Sequence, residues 1–136
     1  MGRILAIDYG KKRTGLAVTD PLQLIASGLT TVLTHDLIPY LKKYFAQETV
    51  SEIIIGEPKG LDGNATDATA LVTECIRILQ KNFPDMPVKK IDERFTSKIA
   101  FRSMIDSGLK KKDRQNKALV DEISATVLLQ EYLQYK

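Results

Sequence analysis

A chain of 136 residues, 43% hydrophobic and 27% charged, is expected to fold as one domain, residues 1–136, with a core that needs no disulfide or zinc. Its single cysteine, Cys75, and single histidine, His35, exclude a Cys/His zinc centre and any catalysis that needs two histidines, which leaves chemistry to carboxylates, hydroxyls, lysines and arginines. The net charge is only +3, no apolar run approaches the about 18–20 residues that span a bilayer, and the N-terminus does not resemble a secretory leader, so a cytoplasmic protein without membrane contact is expected.

Ile4 to Asp8 reads as a strand ending in an acid, and Gly15 to Thr19 as a second strand. The stretch Tyr9-Gly10-Lys11-Lys12-Arg13-Thr14 between them suits a hairpin connection. Ser27 to Leu33 makes a third strand, so the opening is an antiparallel meander. Asp36 is placed to cap a helix in which Leu37, Tyr40, Leu41, Tyr44 and Phe45 recur at helical spacing. His35, just before it, reads as a surface residue in a turn. Ile53-Ile54-Ile55 has the continuous β-branched character of a central strand covered on both faces. A loop rich in glycine and proline follows from Gly56 to Gly63, and Asn64 then caps a long helix with Leu71, Val72, Cys75, Ile76 and Leu79 on its buried face. Cys75 is therefore a structural thiol rather than a nucleophile. Phe83-Pro84 ends that helix, and Val88 to Asp92 forms a fifth strand. Thr96 or Ser97 caps a further helix that stops near Gly108, and a last helix runs from about Gln115 to Leu133. The order predicts an α/β fold whose central five-stranded mixed sheet, three antiparallel strands plus two parallel, is flanked by helices.

Three signals carry chemistry. Asp8 ends a central strand, where side chains project into the crevice in which α/β proteins bind ligands. Gly10 and Gly15 allow a tight turn and the close approach of a phosphate, while Lys12 and Arg13 attract one. Asp92-Glu93-Arg94 ends another strand. Consecutive strand residues face opposite ways, so one acid of the pair faces the site, and Glu93 is the favoured one. The third acid, Asp121, shares a helical stripe with Ala125, Leu128 and Tyr132. A carboxylate on a buried stripe is costly unless a cation compensates it. The plainer readings are a solvated strand end for the acidic pair and a helix-dipole role for Asp121. Three converging carboxylates repel one another unless a cation sits among them. Oxygen-only ligation selects Mg²⁺ or Mn²⁺ over zinc. Two such ions about 4 Å apart suit phosphodiester hydrolysis. Lys110, Lys111, Lys112, Arg114 and Lys117 form a basic tract that, with Lys12 and Arg13, points to a polyanionic partner.

These residues resemble a known family. The run Ile7-Asp8-Tyr9-Gly10-Lys11-Lys12-Arg13-Thr14-Gly15-Leu16-Ala17-Val18-Thr19-Asp20 is similar to the opening of the YqgF/RuvX family. So are Ile55-Gly56-Glu57-Pro58 leading to Asp62-Gly63, Asp92-Glu93-Arg94-Phe95-Thr96-Ser97 with Ala100, and Asp121-Glu122-Ile123-Ser124-Ala125. The resemblance covers essentially the whole chain in the family's order and spacing. It implies a ribonuclease-H-like fold related to Holliday-junction resolvases. It also implies a nuclease that matures the 5′ end of pre-16S rRNA, with a junction resolvase acting on DNA as the alternative, so that RNA is the favoured partner. Carried over, Asp8, Glu93 and Asp121 match the family's proposed catalytic acids, expected to hold the metal, Lys12 and Arg13 its basic turn, and Arg94 the arginine after the acidic pair, which is expected to stabilise the phosphate or orient Glu93. Two departures stand out. Glu57 replaces an apolar residue before proline and adds an auxiliary acid at a strand end, and Ser124 replaces alanine. An ATPase of the actin-like superfamily shares the opening motif but needs two such domains, for which this chain is too short. A non-catalytic nucleic-acid-binding module is the other rival, and the retained acids oppose it, because binding phosphate favours removing negative charge.

Overall fold

Eight elements follow one another in a computed structural model that describes residues 2–57, 67–92 and 117–135. They are β1 (Arg3–Tyr9), β2 (Arg13–Thr19), β3 (Ala26–Leu33), α1 (Leu37–Gln47), β4 (Val50–Glu57), α2 (Asp67–Asn82), β5 (Val88–Asp92) and α3 (Lys117–Tyr135). The strands form one sheet in the order β3-β2-β1-β4-β5. β1 pairs antiparallel with β2, and β2 with β3, while β1–β4 and β4–β5 are parallel. The expected mixed sheet with an antiparallel flank is thus the observed one. The helix expected after Thr96 or Ser97, and the cap at Asn64, lie outside the described residues.

Alternation along β1 divides the core in two. Leu5 and Ile7 face one side, where Leu16, Ile53 and Ile55 join Leu37 and Leu41 of α1 and Val72, Cys75 and Leu79 of α2. Ile4 and Ala6 face the other side, where Ala17 and Ile54 lie under Ala125, Leu128 and Leu129 of α3. All four residues Ile4–Ile7 have no exposed surface, and each large side chain so buried contributes about 1.5–3 kcal/mol. Ala6 and Ala17 lie between the isoleucines under α3 and let Ala125 pack close to the sheet. On β3 the same requirement falls on Gly28, where a side chain would run into the Glu122 carboxylate of α3.

One expectation about α1 does not hold. Asp36 makes no capping hydrogen bond, because Thr34–Asp36 form a 3₁₀ turn running directly into the helix. Asp36 already has helical dihedrals (φ −96°, ψ −1°), whereas a capping residue is extended. Its carboxylate lies instead 3.4 Å from His35 Nε2.

Two polar clusters fix the ends of the sheet. At the amino end of β4, Glu52 is 9% exposed. The Tyr132 hydroxyl donates to its carboxylate at 3.2 Å, and Lys89 Nζ donates to that hydroxyl at 3.1 Å while lying 3.2 Å from Glu52. The last turns of α3 are thereby tied to β4 and β5. At the opposite end Thr34 secures the β1–β2 turn. Its hydroxyl donates to the Gly10 carbonyl at 2.7 Å, and its backbone N–H donates to the Lys12 carbonyl at 2.9 Å. The proton of the Thr34 hydroxyl is thus committed, so the buried Thr14 hydroxyl, 3.0 Å away, is the donor in that pair. The turn also needs Gly10 as glycine, since a side chain there would meet the Arg13 carbonyl.

Three outcomes are expected. Thr34→Val should lower unfolding stability in urea by about 1–3 kcal/mol, because it strands the Gly10 carbonyl and the buried Thr14 hydroxyl. Faster amide exchange at residues 10–14 should accompany the loss. Tyr132→Phe should cost about 1–2 kcal/mol in the same measurement, the exposed Lys89 compensating only weakly for the missing donor. Alkaline pH should also destabilise the fold. Burial pushes the Cys75 thiol from 9.0 up to about 12 and raises Tyr9, Tyr40 and Tyr44 as well, desolvation being the largest cause in each. The folded state therefore holds these protons more tightly than the unfolded chain does. That contribution is complete below about pH 9 and is lost as pH climbs toward 12. Cys75→Ala should flatten the decline of urea stability between pH 8.5 and pH 10.5; an unchanged slope would contradict the assignment.

Candidate active site at the carboxyl edge of the sheet

Parallel pairing brings the carboxyl ends of β1, β4 and β5 to one edge. Ile7 pairs with Ile55, Gly56 with Ile91 and Glu57 with Asp92. Asp8 therefore stands level with Gly56 and Ile91, one residue short of the paired ends Glu57 and Asp92, with β5 two strand spacings, about 10 Å, from β1.

Alternation sets which way Asp8 faces. Ile4 and Ala6 lie under α3, so Asp8 falls on the α3 side while Leu5, Ile7 and Tyr9 belong to the α1/α2 side. Directly across the antiparallel pair stands Gly15. Half-buried Asp8 thus has no side chain directly opposite it on β2.

The direction of α3 brings its first turns to the same place. Tyr132, near its end, bonds to Glu52 at the amino end of β4, whereas Ala125 packs over Ala6 and Ala17. The helix therefore enters at the carboxyl edge and leaves at the amino edge. Position 121 is one turn ahead of Ala125, about 6 Å nearer the edge where Asp8 emerges. Of the stripe expected to carry Asp121, Ala125 and Leu128 are fully buried and Tyr132 is half-buried.

Electropositive groups frame this edge. Lys11 and Lys12 are exposed on the β1–β2 turn, and Arg13, half-buried, opens β2 opposite Leu33. Lys117 is the first residue of α3. Glu93, Arg94, Lys110, Lys111, Lys112 and Arg114 lie outside the described residues, as do the side chains of Glu57, Asp92, Lys117 and Asp121. Among the described residues no three His, Cys, Asp or Glu side chains form a metal-holding group. The donors assigned to this edge are nevertheless all carboxylate oxygens, the set that suits a hard dication. Among the described residues no helix is long and apolar enough to cross a membrane.

Sequence reasoning passed over Thr34, which holds the basic turn, and Tyr9, which borders it from the far side of β1. Neither leaves a periodic signal. Thr34 acts through single hydrogen bonds to residues 20 or more positions away, and Tyr9 reads as one more residue of a hairpin connection.

Comparison with known proteins identifies the family. Residues 2–135 match the family described as "RuvX: Holliday junction resolvase". A protein of Flavobacterium psychrophilum named "Putative pre-16S rRNA nuclease" is 57% identical over 136 residues, covering all of this chain and 99% of its own. A protein of the same name from Bacteroides thetaiotaomicron is 58% identical over the same span, again covering 99% of its own chain. Among solved structures, RuvC of Thermus thermophilus in complex with a Holliday junction substrate superposes with a TM-score of 0.58 at 14% identity, covering 99% of this chain and 96% of that one. A second Thermus thermophilus RuvC structure gives 0.56 at the same identity. At that identity the likeness concerns the fold, which is the ribonuclease-H-like one. A profile match across nearly the whole sequence, and full-length relatives well above half identical, leave one conclusion: this chain belongs to the RuvX family.

Proposed function

We propose that the protein is a metal-dependent nuclease that hydrolyses phosphodiesters at the carboxyl edge of its sheet, acting in the cytoplasm on the 5′ end of pre-16S rRNA during ribosome biogenesis. The observation that carries this reading is the convergence of the β1, β4 and β5 ends with the start of α3, which gathers acid-bearing positions from four separate stretches of the sequence. The substrate follows the names borne by the close relatives. A four-way DNA junction is the second reading, favoured by the description of the family.

In this assignment Asp8, Glu93 and Asp121 hold Mg²⁺ or Mn²⁺. Glu93 is chosen over Asp92 on the family resemblance, in which it matches the second of the proposed catalytic acids. Glu57 is an auxiliary acid at the neighbouring strand end. When bound, such ions activate water and neutralise charge on the leaving oxygen. The chain's own groups do the rest. Lys12, Arg13 and the tract Lys110, Lys111, Lys112, Arg114 and Lys117 draw in the phosphate backbone irrespective of sequence. Arg94 steadies the charge that develops on the reacting phosphoryl group. Gly15, directly across from Asp8, places no side chain between that phosphate and the acid.

Asp8→Asn and Asp121→Asn should each reduce cleavage by at least about 100-fold while leaving thermal unfolding within a few degrees of wild type. The assay sets pre-16S rRNA, a four-way DNA junction and single-stranded RNA side by side, with Mn²⁺ and with EDTA. Full activity in both variants, or undiminished cleavage in EDTA, would sink the assignment. Preferential cutting of the DNA junction would replace the ribosomal reading with the resolvase one.

A further inference from the structure

Tyr9 follows Asp8 in sequence but lies on the opposite side of the sheet, where it borders a groove of about 580 Å³. The mouth of the groove carries Lys11, Lys12 and His35, all exposed. Its walls are Tyr9, Ile38 and Ile78, half-buried residues of β1, α1 and α2. Behind them a smaller recess of about 30 Å³ continues inward to Leu37 and Cys75. The volume falls in the range of roughly 300–1,000 Å³ typical of small-ligand sites. Its character is divided, with cations outside and aromatic and aliphatic surface inside.

We propose that this groove binds an unpaired nucleotide of the same strand that is cut at the carboxyl edge, its base against Tyr9 and its phosphate on Lys11 and Lys12. The inference rests on the nuclease reading above and names the form of substrate it takes. Three observations lead there. The division of the groove matches a nucleotide, whose base is flat and weakly polar and whose phosphate is anionic; aromatic stacking beside a basic track is how unpaired strands are bound without sequence preference. Among the described residues, the acids nearby are Asp36, which lies 3.4 Å from His35, and Glu74, whose charge is felt at the Tyr9 hydroxyl and which is paired at 2.6 Å with Arg77. Lys11 and Lys12 are the two lysines that line the groove. Finally, the Thr34 hydrogen bonds to the Gly10 and Lys12 carbonyls fix the backbone of the turn, so both lysines spring from a set point on the same groove that Tyr9 lines. A base inside a duplex is stacked on its neighbours and cannot present its face to Tyr9.

The test is fluorescence anisotropy of the full chain in EDTA, so that nothing is cut, with labelled single strands of about 12 nucleotides made as RNA and as DNA, and with the corresponding duplex. Tyr9→Leu should weaken single-strand binding about tenfold and leave the duplex unchanged, while Tyr9→Phe should bind like wild type. The double variant Lys11→Ala with His35→Ala changes only exposed groups, so it carries the test if Tyr9→Leu does not fold. It should weaken single-strand binding several-fold and lower the slope of log affinity against log salt by about 0.7, the value for one lost phosphate contact. Photolysis of a 5-bromouracil-substituted strand should crosslink to Tyr9. Loss with either sugar supports the groove. Wild-type affinity of both the Tyr9→Leu and the double variant for RNA and DNA, or an equal loss on the duplex, overturns it. The two readings fail separately. Normal binding by the groove variants with an inactive Asp8→Asn removes only the groove, whereas an active Asp8→Asn with impaired groove variants removes only the assignment of the acids.

Discussion

Strand β1 has no face turned to water. Ile4, Leu5, Ala6 and Ile7 are wholly enclosed, half under α3 and half under α1 and α2. Every backbone group along that stretch must be satisfied by neighbouring strands, because no solvent is available to do it. β2 on one side and β4 on the other supply those partners. A strand so constrained cannot slip by one residue without sending its whole apolar set to the wrong layers. The register is therefore firm, and with it the position of the first residue that escapes the core, Asp8. The candidate site inherits the position of this acid from that burial.

The same constraint explains the asymmetry of the two layers. Alanines and a glycine on the α3 side bring that helix close over β1, β2 and β3, and the bulky isoleucines and leucines on the other side keep α1 and α2 further off. A close helix delivers its first turns to the sheet edge, near the acid. The more distant pair leaves a hollow between them, bordered by Tyr9. Two different surfaces thus arise from one choice of residue sizes on opposite faces of a strand.

Much of this was legible in the sequence, for reasons that differ by element. The β1 and β4 patterns are strongly apolar and bounded by turn residues, so the central strands and the antiparallel flank could be read directly. The α3 stripe through Ala125, Leu128 and Tyr132 was legible because burial repeats with the helical period. Asp36 misled, since an aspartate before an apolar helix is the usual capping signal, and only the backbone conformation of the preceding 3₁₀ turn reveals that the cap is absent. Glu52 left no sign at all. An acid at the start of a strand looks solvent-exposed until Tyr132, 80 residues later, closes over it. Thr34 was hidden likewise: its effect depends on where the chain brings it, and nothing in its neighbours announces that. Periodic burial is written locally, but single polar contacts between distant segments are not.

That Asp8 and Tyr9 occupy opposite faces has a mechanical consequence. Any polymer touching both must fold over the rim of a sheet that is one residue thick at that point. Double-stranded DNA, with a persistence length of about 50 nm, resists a bend that tight, whereas an unpaired strand, or the hinge of a branched one, makes it with little cost. The rim can thus sort nucleic acids by stiffness, before any base or sugar is read.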